Sequence, residues 1–435
     1  MAKQTWTIKG QIRVAEDEST GAETIRNLKG IEVEVAGSTI SDSIGWNEWG
    51  TVRTGNAGKF TLNVSKNKKD RFFRVRVRFR DDDLEIKGAK LDVLESNWHV
   101  VYKSSSKKGG PTIDIGTRTF EAGGAHDLGE EDYRRQAVAW YLCRTTIDTL
   151  VDKDPYFAFK KKINVVYPAS VISKVPYANG VDRTAYIHKG DNWWSAGTVL
   201  HEIMHLWNYD HNKGTANWLK AVCFDWNTHG RQEEPNIAFH EGFAQYAAEE
   251  LLYHIWDHDK ELPLNRKHLT DSGLGNLDMV ERNDRGVISG LHLLTARGKL
   301  GPYKFVFGTA SSAPSGAGIH VAIDKTRVSG CPEAPKLDFW DVLLAFKAHP
   351  GAGWETEWQV GKDDYGLVRF YDRCCDIYDS LDRSTRDLLL DCLNPAKTTE
   401  PREACEGLAG RITKEEEIIR PDISKKSSRR VKRKR

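Results

Sequence analysis

Apolar and polar residues alternate along several short segments within roughly the first 120 residues. In the run RFFRVRVRFR, Phe73, Val75, Val77 and Phe79 alternate with arginines, which is typical of a strand with one buried face and one face in water. A hairpin turn is indicated at 56–58, where Asn-Ala-Gly separates two such segments. About seven strands in this stretch predict a small β-sandwich. The predicted strands are 6–14, 31–36, 51–54, 60–64, 73–79, 98–103 and 112–120.

A helical period replaces this alternation after the Gly-rich stretch 121–125, which reads as a linker. Within 132–151, Ala137, Trp140 and Ile147 fall near one face of a helix, so this segment predicts an amphipathic helix on a second core. Two strands, at 163–167 and 184–188, precede the next helix. Further helices are predicted at 287–296, 339–345 and 384–393.

These patterns predict a multidomain protein with two folded parts. Residues 1–122 are expected to form an all-β sandwich, and residues 128–410 a mainly α (α+β) domain. Residues 411–435 are polar and basic, and we expect this tail to be disordered.

Composition indicates a globular protein outside the membrane. The chain has 39% hydrophobic and 29% charged residues, and it contains no run of about 18 apolar residues and no Sec-type signal at its start. Seven scattered cysteines without CxxC spacing favour reduced thiols, although Cys392 and Cys405 could form a disulfide. We therefore expect a cytoplasmic protein without a membrane span, or one exported without a Sec signal peptide.

Positive charge is concentrated at the C-terminus. Residues 425–435 hold eight of the 64 basic residues and no acid, so the rest of the chain carries 56 basic against 62 acidic residues, a balance of −6. Such a tail has the composition of a nuclear-import or nucleic-acid-binding segment, or of a solubilising end. The arginine row of 74–80 could likewise contact nucleic acid or an acidic partner, but four nearby acids favour a solvated strand face.

A motif with the spacing of a metal site stands at 201–205, in the sequence His-Glu-Ile-Met-His. Two histidines at i and i+4 lie one turn apart on the same helical face, so both imidazoles can reach one zinc ion. Glu202 lies one residue further round the helix, where it could accept a proton from the attacking water as a general base. The flanking apolar residues predict a buried helix.

A candidate third ligand lies 36 residues beyond His205, where the segment FHEGFAQYAAEEL presents Glu241 at the start of a helical pattern. Two histidines, one glutamate and an open position are the arrangement of a catalytic zinc, whereas structural zinc sites hold four protein ligands. One Zn²⁺ per chain is therefore the expected cofactor.

Together, HEIMH and HEGFAQY resemble the gluzincin metallopeptidases, a zincin-type family. The resemblance covers mainly residues 163–253 and implies His201 and His205 as ligands, Glu202 as the base and Glu241 as the third ligand. Separately, the layout GQIRV, GIEVEVAGS and NAGKFTLNV resembles transthyretin-like or carboxypeptidase-regulatory-like β-sandwiches. That resemblance implies an accessory module that docks to a protein partner.

A rival ligand is His211, six positions after His205. This is the spacing of the metzincin pattern HExxHxxGxxH, with Asn208 in place of its glycine. Glu241 is preferred, because the glycine is absent and the HEGFAQY segment would otherwise have no role.

Weaker site predictions concern residues around these ligands. Gln245, one turn after Glu241, or Glu249 a turn later, could hydrogen-bond a ligand imidazole and fix its tautomer. The gluzincin resemblance also implies an edge strand upstream of the HExxH helix, on which an extended substrate adds as a further strand. The residues predicted for it are Thr184, Ala185, Tyr186, Ile187 and His188.

The sequence therefore predicts a zinc-dependent peptidase that hydrolyses peptide or protein substrates with a metal-activated water. Two alternatives stay open. The chain could be an effector or toxin peptidase delivered by a secretion apparatus. It could instead be a non-catalytic binding protein in which the β-sandwich is the functional part and HEIMH is an ordinary helix. The retained Glu202 favours the enzyme, because a degenerate site has no reason to keep the base.

Overall fold

A computed structural model gives the architecture of the chain. It describes residues 3–17, 23–40, 44–67, 72–88, 98–104, 111–122, 131–169, 176–189, 194–211 and 235–256, and shorter stretches between 287 and 390.

Two four-stranded sheets occupy the N-terminal part. The first has the order β2-β1-β5, with β9 also paired to β1, and consists of β1 (Lys3–Glu16), β2 (Thr24–Asn27), β5 (Lys59–Asn67) and β9 (Thr112–Phe120). The second has the order β4-β3-β6-β8 and consists of β3 (Glu32–Ser38), β4 (Asn47–Arg53), β6 (Phe72–Arg78) and β8 (His99–Lys103). Seven of these eight strands overlap the segments where alternation predicts them, and β2 was not predicted.

The two sheets pack through large aromatic side chains. Trp6 of β1 lies 5.1 Å from Phe73 of β6 and 5.4 Å from Trp49 of β4, measured between ring centroids. All three rings are buried. Buried aromatic residues contribute both area and ring contacts to stability, so this cluster is a main part of the core between the sheets.

The arginine row of β6 is held within its own sheet. Arg76 donates two hydrogen bonds to Glu34, of 2.7 and 2.8 Å, and Arg78 donates one of 2.9 Å to Glu32. The pairing register places each glutamate directly opposite its arginine. Trp98 lies 4.6 Å from the Arg76 guanidinium and 4.8 Å from that of Arg78. This arrangement favours the interpretation of a solvated strand face.

A third sheet joins strands from distant segments. Its order is β11-β12-β10-β7, with β7 (Leu84–Lys87), β10 (Ile163–Ala169), β11 (Tyr177–Asn179) and β12 (Thr184–His188). Strands β7, β10 and β12 are parallel, and β11 is antiparallel to β12. The sheet therefore crosses the domain boundary predicted at residue 122.

The predicted fold class, a β-sandwich followed by a mainly α domain, is wrong. Three four-stranded sheets and the hairpin of β13 (Lys304–Phe307) and β14 (Ile319–Ala322) dominate the described chain, and one of these sheets is shared by the two predicted domains. Strands β7 and β11 have four and three residues, too few for a period to be recognised. The α-helices of the described residues are α1 (Glu131–Lys153), α2 (Ala196–His211), α3 (Pro235–Trp256), α4 (Phe339–Phe346) and α5 (Leu367–Ile377).

Helix α1 is bonded to loops that connect the N-terminal strands. The indole N–H of Trp140, a fully buried residue, donates to the Lys29 carbonyl at 2.8 Å. Arg144 donates to Asp81 at 2.9 Å, and both side chains are largely buried. Helix α1 also contacts β10 and β7 of the third sheet. It therefore packs against the N-terminal strands and the third sheet at once.

His99 is buried where β8 meets α1. Its ring lies 4.4 Å from that of Tyr133 and 5.2 Å from that of Phe79. Burial lowers the pKa of His99 from its ordinary value of 6.5 to about 4, opposed by a hydrogen bond with Gln136. Above pH 6.5 the imidazole is neutral in both the folded and the unfolded chain, whereas between pH 6.5 and 4 only the unfolded chain binds the proton.

Because only the unfolded chain binds this proton, we expect the free energy of unfolding to fall by about 2 to 3 kcal/mol when the pH is lowered from 7 to 4.5. Replacement of His99 by Phe removes the titrating group and should remove that part of the pH dependence. Urea unfolding of both proteins at the two pH values measures it. Equal losses in wild type and H99F would contradict the prediction.

Contacts between Cα atoms divide the chain into two compact units, one of Met1–Asn227, Ala244–Lys260 and Lys347–Gly361, the other of Thr228–Phe243, Glu261–Phe346 and Lys362–Arg435. In the second unit, Phe346 of α4 stacks on Phe243 with ring centroids 3.9 Å apart. The Tyr371 hydroxyl of α5 donates to the Gly290 carbonyl at 2.7 Å. Aromatic packing holds its described helices together.

Several predictions concern little-described or undescribed parts of the chain. The helix at 339–345 is confirmed by α4, and the described residues of 287–296 are helical. The tail 411–435 and the pair Cys392 and Cys405 lie outside the described residues. No helix in the described ranges has the length and apolar character required to cross a membrane.

Candidate metal centre

Helix α2 carries the HExxH motif and has a defined beginning. The Ser195 hydroxyl accepts a hydrogen bond from the Thr198 backbone N–H at 2.9 Å, as expected of an N-cap residue. Just before it, the Trp194 ring lies 4.7 Å from that of Tyr167 on β10. Thirteen of the sixteen helix residues are buried. Polar side chains on such a helix must be paired or have a chemical role, because burying them otherwise costs stability.

The two histidines of the motif face each other. Their Nε2 atoms are 3.0 Å apart, and their rings are perpendicular with centroids at 4.6 Å. His201 is 5% exposed and His205 is 2% exposed. The one-turn spacing has thus brought two imidazole nitrogens to one buried point, as the sequence predicts.

Glu241 of α3 completes a group that could hold a metal ion. One ligand atom from each of His201, His205 and Glu241 lies within 4.8 Å of the other two. Tetrahedral ligands at 2.0–2.1 Å from zinc are separated by about 3.3 Å, close to the 3.0 Å between the two nitrogens. Two neutral imidazoles and a carboxylate are also ligands that zinc accepts. The residues present therefore fit such an ion.

Glu202, the predicted base, is buried with 6% of its surface exposed. It follows His201 directly, so its side chain leaves the helix about 100° round the axis from that of the ligand. A carboxylate in this position is a neighbour of the site without belonging to the three-residue group. Its role as a base stays a prediction.

The rival ligand His211 is bonded elsewhere. Its Nε2–H donates to the Ala158 carbonyl at 3.1 Å, and its ring lies 4.4 Å from that of Trp207. Among the described residues, the metal-competent group has Glu241 and not His211 as its third member.

The two weaker candidates on α3 are bonded to each other. The Gln245 side-chain amide donates to the Glu249 carboxylate at 3.0 Å, as their i, i+4 spacing allows. Glu249 is buried. Whether either residue orients a ligand imidazole stays a prediction.

The predicted substrate strand needs a correction. Residues 184–188 form β12, but β12 lies between β11 and β10 and is not an edge strand. Thr184, Ala185 and Tyr186 pair with β11 on one side and with β10 on the other. Their backbone groups are consequently occupied within the sheet. The error arose because β11 is too short to be recognised from its pattern.

Sequence reasoning missed a buried ion pair on the helix that carries the two histidines. Arg183 precedes β12 and binds Asp210 in the last turn of α2. Asp210 carried one usable signal, since it is an acid, like Glu202, on a helix whose flanking residues predict burial. Arg183 carried none.

Comparison with known proteins assigns no family. No family model matches the chain, and no curated protein matches it. Among solved structures, the chain is similar to a 9R-lipoxygenase from Cyanothece at 16% identity, with 33% of this chain and 23% of that chain covered and a TM-score of 0.19. A score this low supports no inference about fold or chemistry. The function must be argued from the site itself.

Proposed function

We propose that the protein is a zinc-dependent peptidase in which His201, His205 and Glu241 hold the metal and Glu202 is the general base. The observation that carries this proposal is the grouping of the two imidazoles and the carboxylate within 4.8 Å. Three protein ligands leave a position for water or substrate. The substrate class is a peptide or a protein.

The metal ligands and Glu202 have separate roles in the reaction. A bound zinc ion would polarise the scissile carbonyl and lower the pKa of water toward about 7. Glu202 takes the proton from the attacking water and delivers it to the leaving amine, which avoids the release of an unstable amide anion. His201 and His205 are themselves shielded from bulk water, so their electrostatic interactions are stronger than those of exposed side chains.

Two histidines and one carboxylate also bind Fe(II) in oxygenases. Here the two histidines are one helical turn apart with a buried glutamate between them. That glutamate has a role in hydrolysis, since water must lose a proton. An oxygenase site does not require it. This difference favours zinc and hydrolysis.

The test is elemental analysis of the full-length wild type and of three variants, with a mixed peptide library assayed in parallel. We expect one zinc per wild-type chain, lost in His205→Ala and in Glu241→Ala because each removes a ligand. His211→Gln should keep the metal, since glutamine retains an N–H for the Ala158 carbonyl.

Each alternative result has a distinct meaning. Loss of zinc in H211Q, but not in E241A, would replace Glu241 by His211 as the third ligand. Iron in place of zinc would contradict the hydrolytic proposal. A wild type that binds no metal and cleaves no peptide would leave HEIMH an ordinary helix.

A further inference from the structure

The last turns of α2 are bonded to the backbone of the segment before β10. The indole N–H of Trp207 donates to the Phe157 carbonyl at 2.8 Å, and His211 donates to the Ala158 carbonyl at 3.1 Å. The Asp210 carboxylate accepts the Lys160 backbone N–H at 2.8 Å. Positions 207, 210 and 211 share one helix face, so this face is fixed to a single stretch of backbone.

This anchored face lies on the far side of the helix from the ligands. At about 100° per residue, His201 and His205 point in nearly the same direction, and the centre of the anchored face is about 145° away. Rotation of α2 about its axis would swing both imidazoles together. Metal sites tolerate ligand displacements of only about 0.5 Å, so whatever fixes this rotation also fixes the metal geometry.

Arg183 extends the anchor to the third sheet. Its guanidinium binds both carboxylate oxygens of Asp210, one of them at 2.8 Å, and also donates to the Lys161 carbonyl at 2.9 Å. The side chains of Arg183 and Asp210 are 11% and 6% exposed. The Arg183 carbonyl accepts the Asn164 N–H of β10 at 2.8 Å. Asp210 is therefore tied to the beginning of β12 and to the segment 160–161 together.

The backbone of Arg183 is in an unfavourable conformation. Its φ angle is +61°, and it is the one described residue other than glycine with a positive φ. Side chains with a Cβ atom disfavour this region, which glycine or asparagine enters readily. Strain of this kind persists where surrounding interactions hold it, and it marks positions with a specific role. Here the buried bidentate pair with Asp210 is the holding interaction.

We propose that Arg183 and Asp210 are positioning residues that set the rotation of α2, so that His201 and His205 converge on one ion. The inference rests on the proposed metal site. Neither residue belongs to the metal group. Both act through the helix that carries two of its ligands.

The test uses the full chain with Asp210→Asn, Arg183→Lys and Arg183→Gly. Asparagine and lysine each remove the bidentate charge pair with little change in size, and glycine removes the side chain while relieving the backbone strain. The matched control is the exposed pair Arg53 and Asp82, whose two hydrogen bonds measure 2.9 and 3.1 Å, changed to R53K and D82N. Zinc affinity is measured by chelator competition, and coordination geometry by the visible absorption of the Co²⁺ form.

We expect D210N and R183G to bind zinc about 10 to 100-fold more weakly and to show an altered Co²⁺ spectrum. R183K should be intermediate, because it keeps the charge without the planar fork. The control pair should match the wild type. R183G relieves the backbone strain but leaves the Asp210 carboxylate buried without its charged partner, so thermal unfolding of the metal-free proteins should show a lower midpoint for this variant. The Co²⁺ spectrum, measured well below that midpoint, separates positioning from simple stability.

Two results would overturn the inference. If wild type binds zinc and the folded variants bind it equally well with an unchanged Co²⁺ spectrum, the pair is only structural. If wild type binds no metal, the proposed function fails as well. Should D210N not fold, the two Arg183 variants carry the same test.

Discussion

A chain that begins at residue 123 is expected to be unable to fold or to bind metal. The deletion removes β7 from the third sheet, leaving one side of β10 without its partner strand. It also exposes the face of α1 that buries Trp140 and Arg144 against the N-terminal strands. Each large apolar side chain exposed costs about 1.5 to 3 kcal/mol. Several such losses are comparable with the roughly 5 to 15 kcal/mol of free energy that stabilises a native protein in total.

Circular dichroism, thermal unfolding and zinc content of the 123–435 chain measure this effect. Addition of the 1–122 fragment in trans is the control, because it restores β7 and the packing surface of α1 without restoring the connection. If a cooperative unfolding transition returns when the two fragments are mixed, this would support the finding that both contribute strands to the third sheet. A deletion chain that unfolds cooperatively and holds zinc on its own would show that the N-terminal part is the accessory module implied by its transthyretin-like layout.

Replacement of Glu202 by Gln is expected to lower kcat by about 10²- to 10⁴-fold, the usual contribution of a general base. Glutamine keeps the size of the side chain and can still accept a hydrogen bond, but it cannot take the proton from water. Because Glu202 is not a member of the metal group, zinc content should be unchanged. Peptide-cleavage kinetics and elemental analysis of the same preparation give both values.

The matched control is Glu249→Gln, another buried glutamate, on α3. It should retain far more activity than E202Q, since it lies two turns along from Glu241 and would act only through a neighbour. Wild-type turnover in E202Q would remove Glu202 from the mechanism. Loss of zinc in E202Q would instead make it a ligand.

The candidate site could be predicted from sequence because its geometry is mostly local. His201 and His205 are one helical turn apart in any helix, and the structure places their Nε2 atoms 3.0 Å apart. Glu241 was predicted from its residue type and motif, and the structure brings it to the same group. The chemistry assigned to the group rests on proposals, because spacing indicates which atoms can meet and not what they do.

The fold class could not be predicted because it depends on pairing between distant segments. The alternation in 73–79 identifies a strand wherever its partners lie, and such patterns predict seven of the eight strands of the two N-terminal sheets. Nothing in the four residues of β7 indicates that they pair with β10. The same limit applies to Arg183 and Asp210, which are 27 residues apart and follow no period. A local pattern of apolar residues indicates which face of a helix or strand is buried. Only the tertiary structure shows which buried faces pack against each other.

The parallel pairing of β7 with β10 also determines the order in which the chain can assemble. Leu84 is paired with Ile163, so 79 residues must be synthesised after Leu84 before its partner exists. Parallel pairing between distant segments forms slowly, and a strand edge that has not yet found its partner promotes aggregation. The two N-terminal sheets need nothing beyond residue 120 for their own pairing. On the ribosome they can form first and present β7 as a template, and helix α2 takes its place only afterwards.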